Sequence, residues 1–138
     1  MVKYIFEILD EVSKAKSKAD KVAILKQNES WALKDVIRGS MDETVQWLLP
    51  KGEVPYTPSE PHNHPANLLR ENTKFTYFAR GGKGMQIKAF KRESIFLGML
   101  EGIHPEDAKI CVNMINKNIP KGLTRPIVEE AFPGLLRD

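Results

Sequence analysis

The chain has 138 residues (15.7 kDa), 41% of them hydrophobic and 28% charged, which suits one buried core and leaves too little chain for two ordinary domains. Against 21 Lys and Arg stand 18 Asp and Glu, a formal charge of +3 that is too mild to prove a polyanionic partner by itself. A lone Cys111 excludes an internal disulfide and a thiolate zinc framework, and no apolar run is long enough to cross a membrane, so a cytoplasmic protein with no membrane partner is expected. The opening apolar pattern carries Glu7, Asp10 and Glu11, unlike a secretory signal.

Tyr4, Ile5, Ile8, Leu9 and Val12 recur at three- and four-residue spacing and predict an amphipathic helix over 3–14. Ser17 is the expected N-cap of a second helix running to about Gln27, and Ser30 of a third that buries Trp31, Leu33, Val36 and Ile37 and stops at Gly39. Met41–Leu49 reads as a shorter helical segment. Pro50, Pro55, Pro58, Pro61 and Pro65 then remove backbone donors and predict an extended loop over 50–65. Asn67 is the expected cap of a helix through Leu68, Leu69, Phe75 and Phe78 that ends at the glycine turn 81–84. Residues 86–101 carry Ile87, Phe90, Ile95, Leu97 and Leu100 on a helical period, Pro105 opens the next helix, 118–122 is a turn, and Thr124 caps a last helix closed by Pro133-Gly134. No run alternates with a two-residue period. The expected architecture is one all-α domain of about six to eight helices with a proline-rich loop.

The charge is concentrated. Residues 70–92 hold seven basic side chains and one acid, and residues 13–26 hold five against one. Both clusters fall near predicted helix starts or glycine turns, where free backbone N–H groups and the helix dipole favour a phosphate. Arg80, Lys83 and Gly84 are candidate DNA contacts on this charge argument alone. The interleaved aromatics Phe75, Tyr77, Phe78 and Phe90 have helical spacing and read as core rather than as base-stacking platforms.

Residues 4–38 show an apolar helix, a Ser/Lys break and a K-x-x-I-L helix; residues 92–136 show a helix, a second opening at Pro105-Glu106-Asp107, a basic Gly-Leu turn, and a short helix before Pro-Gly-Leu. Together these 80 residues resemble the N-terminal DNA-binding domain of ATP-dependent DNA ligases, particularly the short viral and phage form. The resemblance implies an all-helical module that holds double-stranded DNA, nicked or intact, through phosphates and the minor groove without reading sequence. It implies that Lys121, Gly122, Thr124 and Arg125 approach the DNA backbone and that Ser17, Lys18 and Lys21 form an earlier contact. It further suggests a viral source and the host-cell cytoplasm. Residues 39–91 lie outside the matching blocks.

The chemistry of a ligase is not expected to accompany the fold. A ligase takes AMP on a lysine in a Lys-x-Asp-Gly-x-Arg setting, this sequence has no Asp-Gly pair, and it ends where a nucleotidyltransferase domain would begin. A stand-alone, non-enzymatic module without cofactor is the expectation. His62 and His64 share a side of an extended segment and are the candidate metal pair, but no third ligand stands at supporting spacing. The Gly81–Gly84 run lacks the spacer and Lys-Ser/Thr ending of a nucleotide-binding loop. The alternative reading is an adaptor whose proline-rich stretch around Tyr56-Thr57-Pro58 engages a replication or transcription protein.

Overall fold

Two serines open helices by the same device. In the computed structural model, which describes residues 3–137, the Ser17 hydroxyl accepts the Asp20 amide at 3.1 Å and the Ser30 hydroxyl accepts the Leu33 amide at 3.1 Å. They start α2 (Lys18–Gln27) and α3 (Trp31–Met41). The first helix, α1 (Ile5–Lys14), is closed at its start by the Tyr4 N–H donating to the Glu7 carboxylate at 2.9 Å. Then come α4 (Leu68–Glu71), α5 (Ala89–Gly102), α6 (Pro105–Ile115) and α7 (Arg125–Ala131), with 3-10 turns at Asn72–Tyr77 and Lys83–Gln86. The described residues thus form seven α-helices and no strand; the isolated bridges Trp47–Ala79 and Glu60–Asn63 are the nearest approach to one.

Helix α1 packs on α2 and α6, α3 on α6 and α4, α2 on α7, and α5 on α6, in a single all-α domain. Ile5, Leu25, Leu33, Ile37, Leu100 and Met114 are fully buried in the shared core. Each such side chain contributes about 1.5–3 kcal/mol relative to exposure.

Several expectations need correction. Helix α3 does not stop at Gly39: a Cβ there would lie 2.5 Å from Trp47 Cζ2 and 2.8 Å from Met114 Sδ, so this glycine serves close packing inside the helix rather than its termination. Trp31 is not core but 75% exposed at the first position of α3. The stretch 42–49 is not helical, because Asp42 Oδ1 accepts both the Thr44 amide (2.8 Å) and the Thr44 hydroxyl (2.6 Å), turning the chain. Residues 46–48 then run beside 78–80, with Leu48 N donating to Phe78 O at 2.7 Å and Arg80 N to Gln46 O at 2.8 Å.

Asn67 does cap its helix, accepting the Leu69 amide at 2.9 Å, but α4 lasts one turn and tightens into a 3-10 turn. Three residues per turn puts Phe75 and Phe78 on one side, and both are buried. Phe90 lies in the first turn of α5 and is 71% exposed, while Phe96, Met99 and Leu100 form that helix's buried face.

The proline-rich segment 50–66 is strapped across α5 and α6. Gly52 N–H donates to Asn116 Oδ1 at 2.6 Å and Asn116 Nδ2 returns a bond to Gly52 O at 3.1 Å. Thr57 N donates to Glu101 at 2.9 Å, Ser59 to Ile103 O, and Ala66 N to Gly102 O at 2.8 Å.

Candidate nucleic-acid interface

The two basic blocks singled out at 17–21 and 121–125 meet. Gly122 adopts φ +87°, a conformation a side chain disfavours, and a Cβ at that position would fall 2.8 Å from Ser13 Cα. The turn therefore lies directly against the end of α1, just before α2. There the Lys21 ammonium donates to Gly122 O at 3.0 Å, so Lys21 is committed to holding the turn. Ser17, Lys18, Lys121 and Thr124 are exposed. Thr124 stands at the N-cap of α7 without making a side-chain capping bond. Among the described residues Lys16, Lys18 and Lys121 enter no ion pair, whereas Arg125 pairs with Glu129 at 3.1 Å. Lys121 also edges an open groove of about 550 Å³ between α1 and α6 that includes Asp10, Glu106 and Lys109.

Arg80, Lys83 and Gly84 belong to a different unit, built on the 3-10 turns. Arg80 reaches Gln46 Oε1 at 3.3 Å, and Lys83 N–H donates to the Thr76 hydroxyl at 3.2 Å. Gly84 is buried: a Cβ would sit 1.7 Å from Tyr77 O, and its carbonyl accepts Arg92 Nη2 at 2.9 Å. Arg80 and Lys83 are exposed. Of the named basic residues, then, the fold joins those of α2 to those at the start of α7 and sets the central ones on the 3-10 unit.

The two histidines of the His62-Asn63-His64 stretch part company. His62 is exposed, while His64 enters an aromatic cluster with Tyr4, Phe6 and His104, its ring centroid 5.5 Å from that of His104. Since Ala66 O can only accept, His64 Nδ1 carries the hydrogen of that 3.0 Å bond, and Nε2 is hydrogen-bonded to the Tyr4 hydroxyl at 3.0 Å. His104 caps α6, its Nδ1 accepting the Glu106 amide at 3.0 Å; burial, then the neighbouring His64, holds its pKa below the usual value. Beside them Asp107 is buried, and burial pushes its carboxyl up to about 6 although the Phe6 N–H bond works against the rise. Among the described residues no three His, Cys, Asp or Glu are grouped to hold a metal ion.

In the proline-rich segment named for the adaptor reading, Tyr56 and Val54 are half-buried against the core and strap bonds fix the chain on either side of them. Pro55, Pro58 and Pro61 remain exposed. Sequence reasoning missed an open cleft of about 650 Å³, lined by Trp31, Asp35, Arg38, Trp47, Thr76 and Arg80. The available signal was a tryptophan directly after a serine cap, where the first helical turn often faces outward; the helical apolar pattern assigned it to the core instead.

Among the described residues no helix is long and apolar enough to cross a membrane. A comparison with curated proteins finds no match to the chain. A family profile does match residues 8–121, most of the chain, and by that match the protein belongs to a family of unknown function (DUF6433).

Proposed function

We infer that this protein is a non-enzymatic, largely sequence-neutral module that grips double-stranded DNA through its phosphate backbone and minor groove. The observation that supports the reading is the Lys21–Gly122 bond, which joins two basic segments about a hundred residues apart in sequence. Lys16, Lys18 and Lys121 stand there exposed, and a phosphate competes with Glu129 for Arg125. The resemblance of residues 4–38 and 92–136 to a ligase DNA-binding domain supports the same surface and suggests a phage or other viral source, with the host cytoplasm as location. Arg80 and Lys83, on the separate 3-10 unit, extend the grip only for a duplex that bridges both units.

The test is duplex binding over a salt series, with nicked and intact DNA. Neutralising about 4 phosphates gives a slope of log affinity against log salt of about −4, and replacing Lys121 and Arg125 together by alanine should flatten it by about 2. A salt-independent response, or unchanged binding by the double variant, removes the reading. In that event the adaptor alternative predicts capture of a replication or transcription protein that survives nuclease treatment.

A further inference from the structure

We propose that the cleft between α3 and the 72–82 segment binds a nucleotide unit, a flat heterocycle carrying a phosphate. It shares only Arg80 with the duplex reading and uses no residue of the Lys21–Gly122 junction, so Lys121→Ala with Arg125→Ala tests the duplex reading alone and Trp31→Ala tests the cleft alone.

At about 650 Å³ the cleft lies in the range of small-molecule sites, about 300–1,000 Å³. Its wall carries Trp31, and an indole left 75% exposed forgoes the burial that usually fixes tryptophan in a core. This indole is nonetheless held. Ser30 caps the helix at its base, and the Lys34 ammonium sits 4.9 Å from its ring centroid and 5.4 Å from that of Phe132, anchored by an ion pair to Glu29. A pre-positioned aromatic surface stacks a planar ring at little ordering cost. Deeper in, Trp47 is fixed by its Nε1–H bond to Gly39 O (2.9 Å) and meets Phe75 edge-on at 6.1 Å.

The charged lining selects the rest of the ligand. Arg38 and Arg80 outnumber the single carboxylate Asp35, and each has a weak partner: Arg38 lies 3.8 Å from Asp35, and Arg80 is 3.3 Å from the neutral Gln46 amide. Asp35 already accepts Asn72 Nδ2 at 2.8 Å. Two under-committed guanidiniums suit a phosphate, which they bind in a planar fork, and disfavour a cation. The Thr76 hydroxyl accepts the Lys83 amide and keeps its own hydrogen to donate. A flat ring with an attached phosphate satisfies both the indole and the guanidiniums, and it has two sources: a free mononucleotide, or an unpaired nucleotide in a single strand.

The full chain is titrated with dAMP, with deoxyadenosine and with a short single-stranded oligonucleotide, following the two indole N–H signals by NMR. Saturable binding of dAMP in preference to deoxyadenosine is expected, with the Trp31 signal moving most. Trp31→Ala should weaken it at least about fivefold, the low end for loss of one stacking contact, while Trp31→Phe largely restores it. Arg38→Gln with Arg80→Gln should abolish the preference for dAMP over the nucleoside. Equal affinities for dAMP and the oligonucleotide identify the free nucleotide as ligand, and a much tighter oligonucleotide identifies a strand. If neither saturates, or if Trp31→Ala binds both as tightly as the parent, the proposal is wrong. Because Trp31 is exposed, thermal melting of the variants separates a lost site from a lost fold.

Discussion

The Phe6 amide donates to Asp107 Oδ1 at 2.9 Å, and the other oxygen of that carboxylate is buried with no partner. This bond ties the first turn of α1 to the first turn of α6. Burial raises the carboxyl from 3.8 to about 6, so between these values the folded chain holds a proton that the unfolded chain releases. The stability Asp107 contributes is therefore present below its unfolded value and lost as pH rises through about 6. His104 acts in the opposite sense: with its folded pKa lowered, its contribution is present above the ordinary 6.5 and lost as pH falls. Asp107→Asn keeps an acceptor for Phe6 and deletes only the first slope. Denaturant midpoints measured between about pH 4 and pH 7 should fall more steeply on acidification in this variant than in the parent; superimposable profiles refute the assignment.

Gly122→Ala combines a disfavoured φ of +87° with a Cβ 2.8 Å from Ser13 Cα. A loss of about 2 kcal/mol or more is expected in urea unfolding. Lys21→Met retains the aliphatic stem and loses the ammonium, with its charge and its bond to Gly122 O, costing about 1 kcal/mol. If the turn is a DNA contact, Gly122→Ala also weakens duplex binding by loosening it without removing a charge, and Lys21→Met weakens it by loosening the turn and by removing one.

Two other glycines should respond with opposite signs. Alanine at Gly84 must displace the Tyr77 carbonyl, 1.7 Å from the new Cβ, and should destabilise severely. Alanine at Gly98, inside α5 with nothing within 4 Å, should stabilise by about 0.5–1 kcal/mol. Thermal melting of the pair checks both.

Cys111 is fully buried on α6, and burial drives its thiol pKa upward. Iodoacetamide should leave it unmodified in the native protein and label it on unfolding, so mass spectrometry gives a direct count of opened molecules. Labelling of the native chain at the rate of a free thiol contradicts this burial.

What the sequence made legible divides along physical lines. Ser17, Ser30, Asn67 and Pro105 were readable because capping is local, and α2, α3, α4 and α6 all begin directly after or at them. The stretch 42–49 was misread because its path depends on distant partners: Arg137 N and Lys117 also bind Asp42, and residues 78–80 hold 46–48. At Asp42 burial is opposed by bonds from Thr44 and Arg137 and by the charge of Lys117, which together outweigh it and hold the pKa below the usual carboxylate value. The Lys21–Gly122 and Phe6–Asp107 bonds each span 101 residues, and no local pattern announces them. Trp31 shows the limit of periodicity, which marks a residue as apolar but not the side of the first turn on which it falls.

The strap at 50–66 governs the order of events when the chain folds. Its anchors, Asn116 and Glu101 above all, lie 64 and 44 residues away from Gly52 and Thr57 in sequence. If the strap docks only once α5 and α6 have paired through their short connection, its contacts form late and are absent from the folding transition state. Asn116→Ala should accordingly quicken unfolding in stopped-flow mixing and leave the refolding rate nearly untouched, making the proline-rich segment a kinetic latch on the helical pair beneath it.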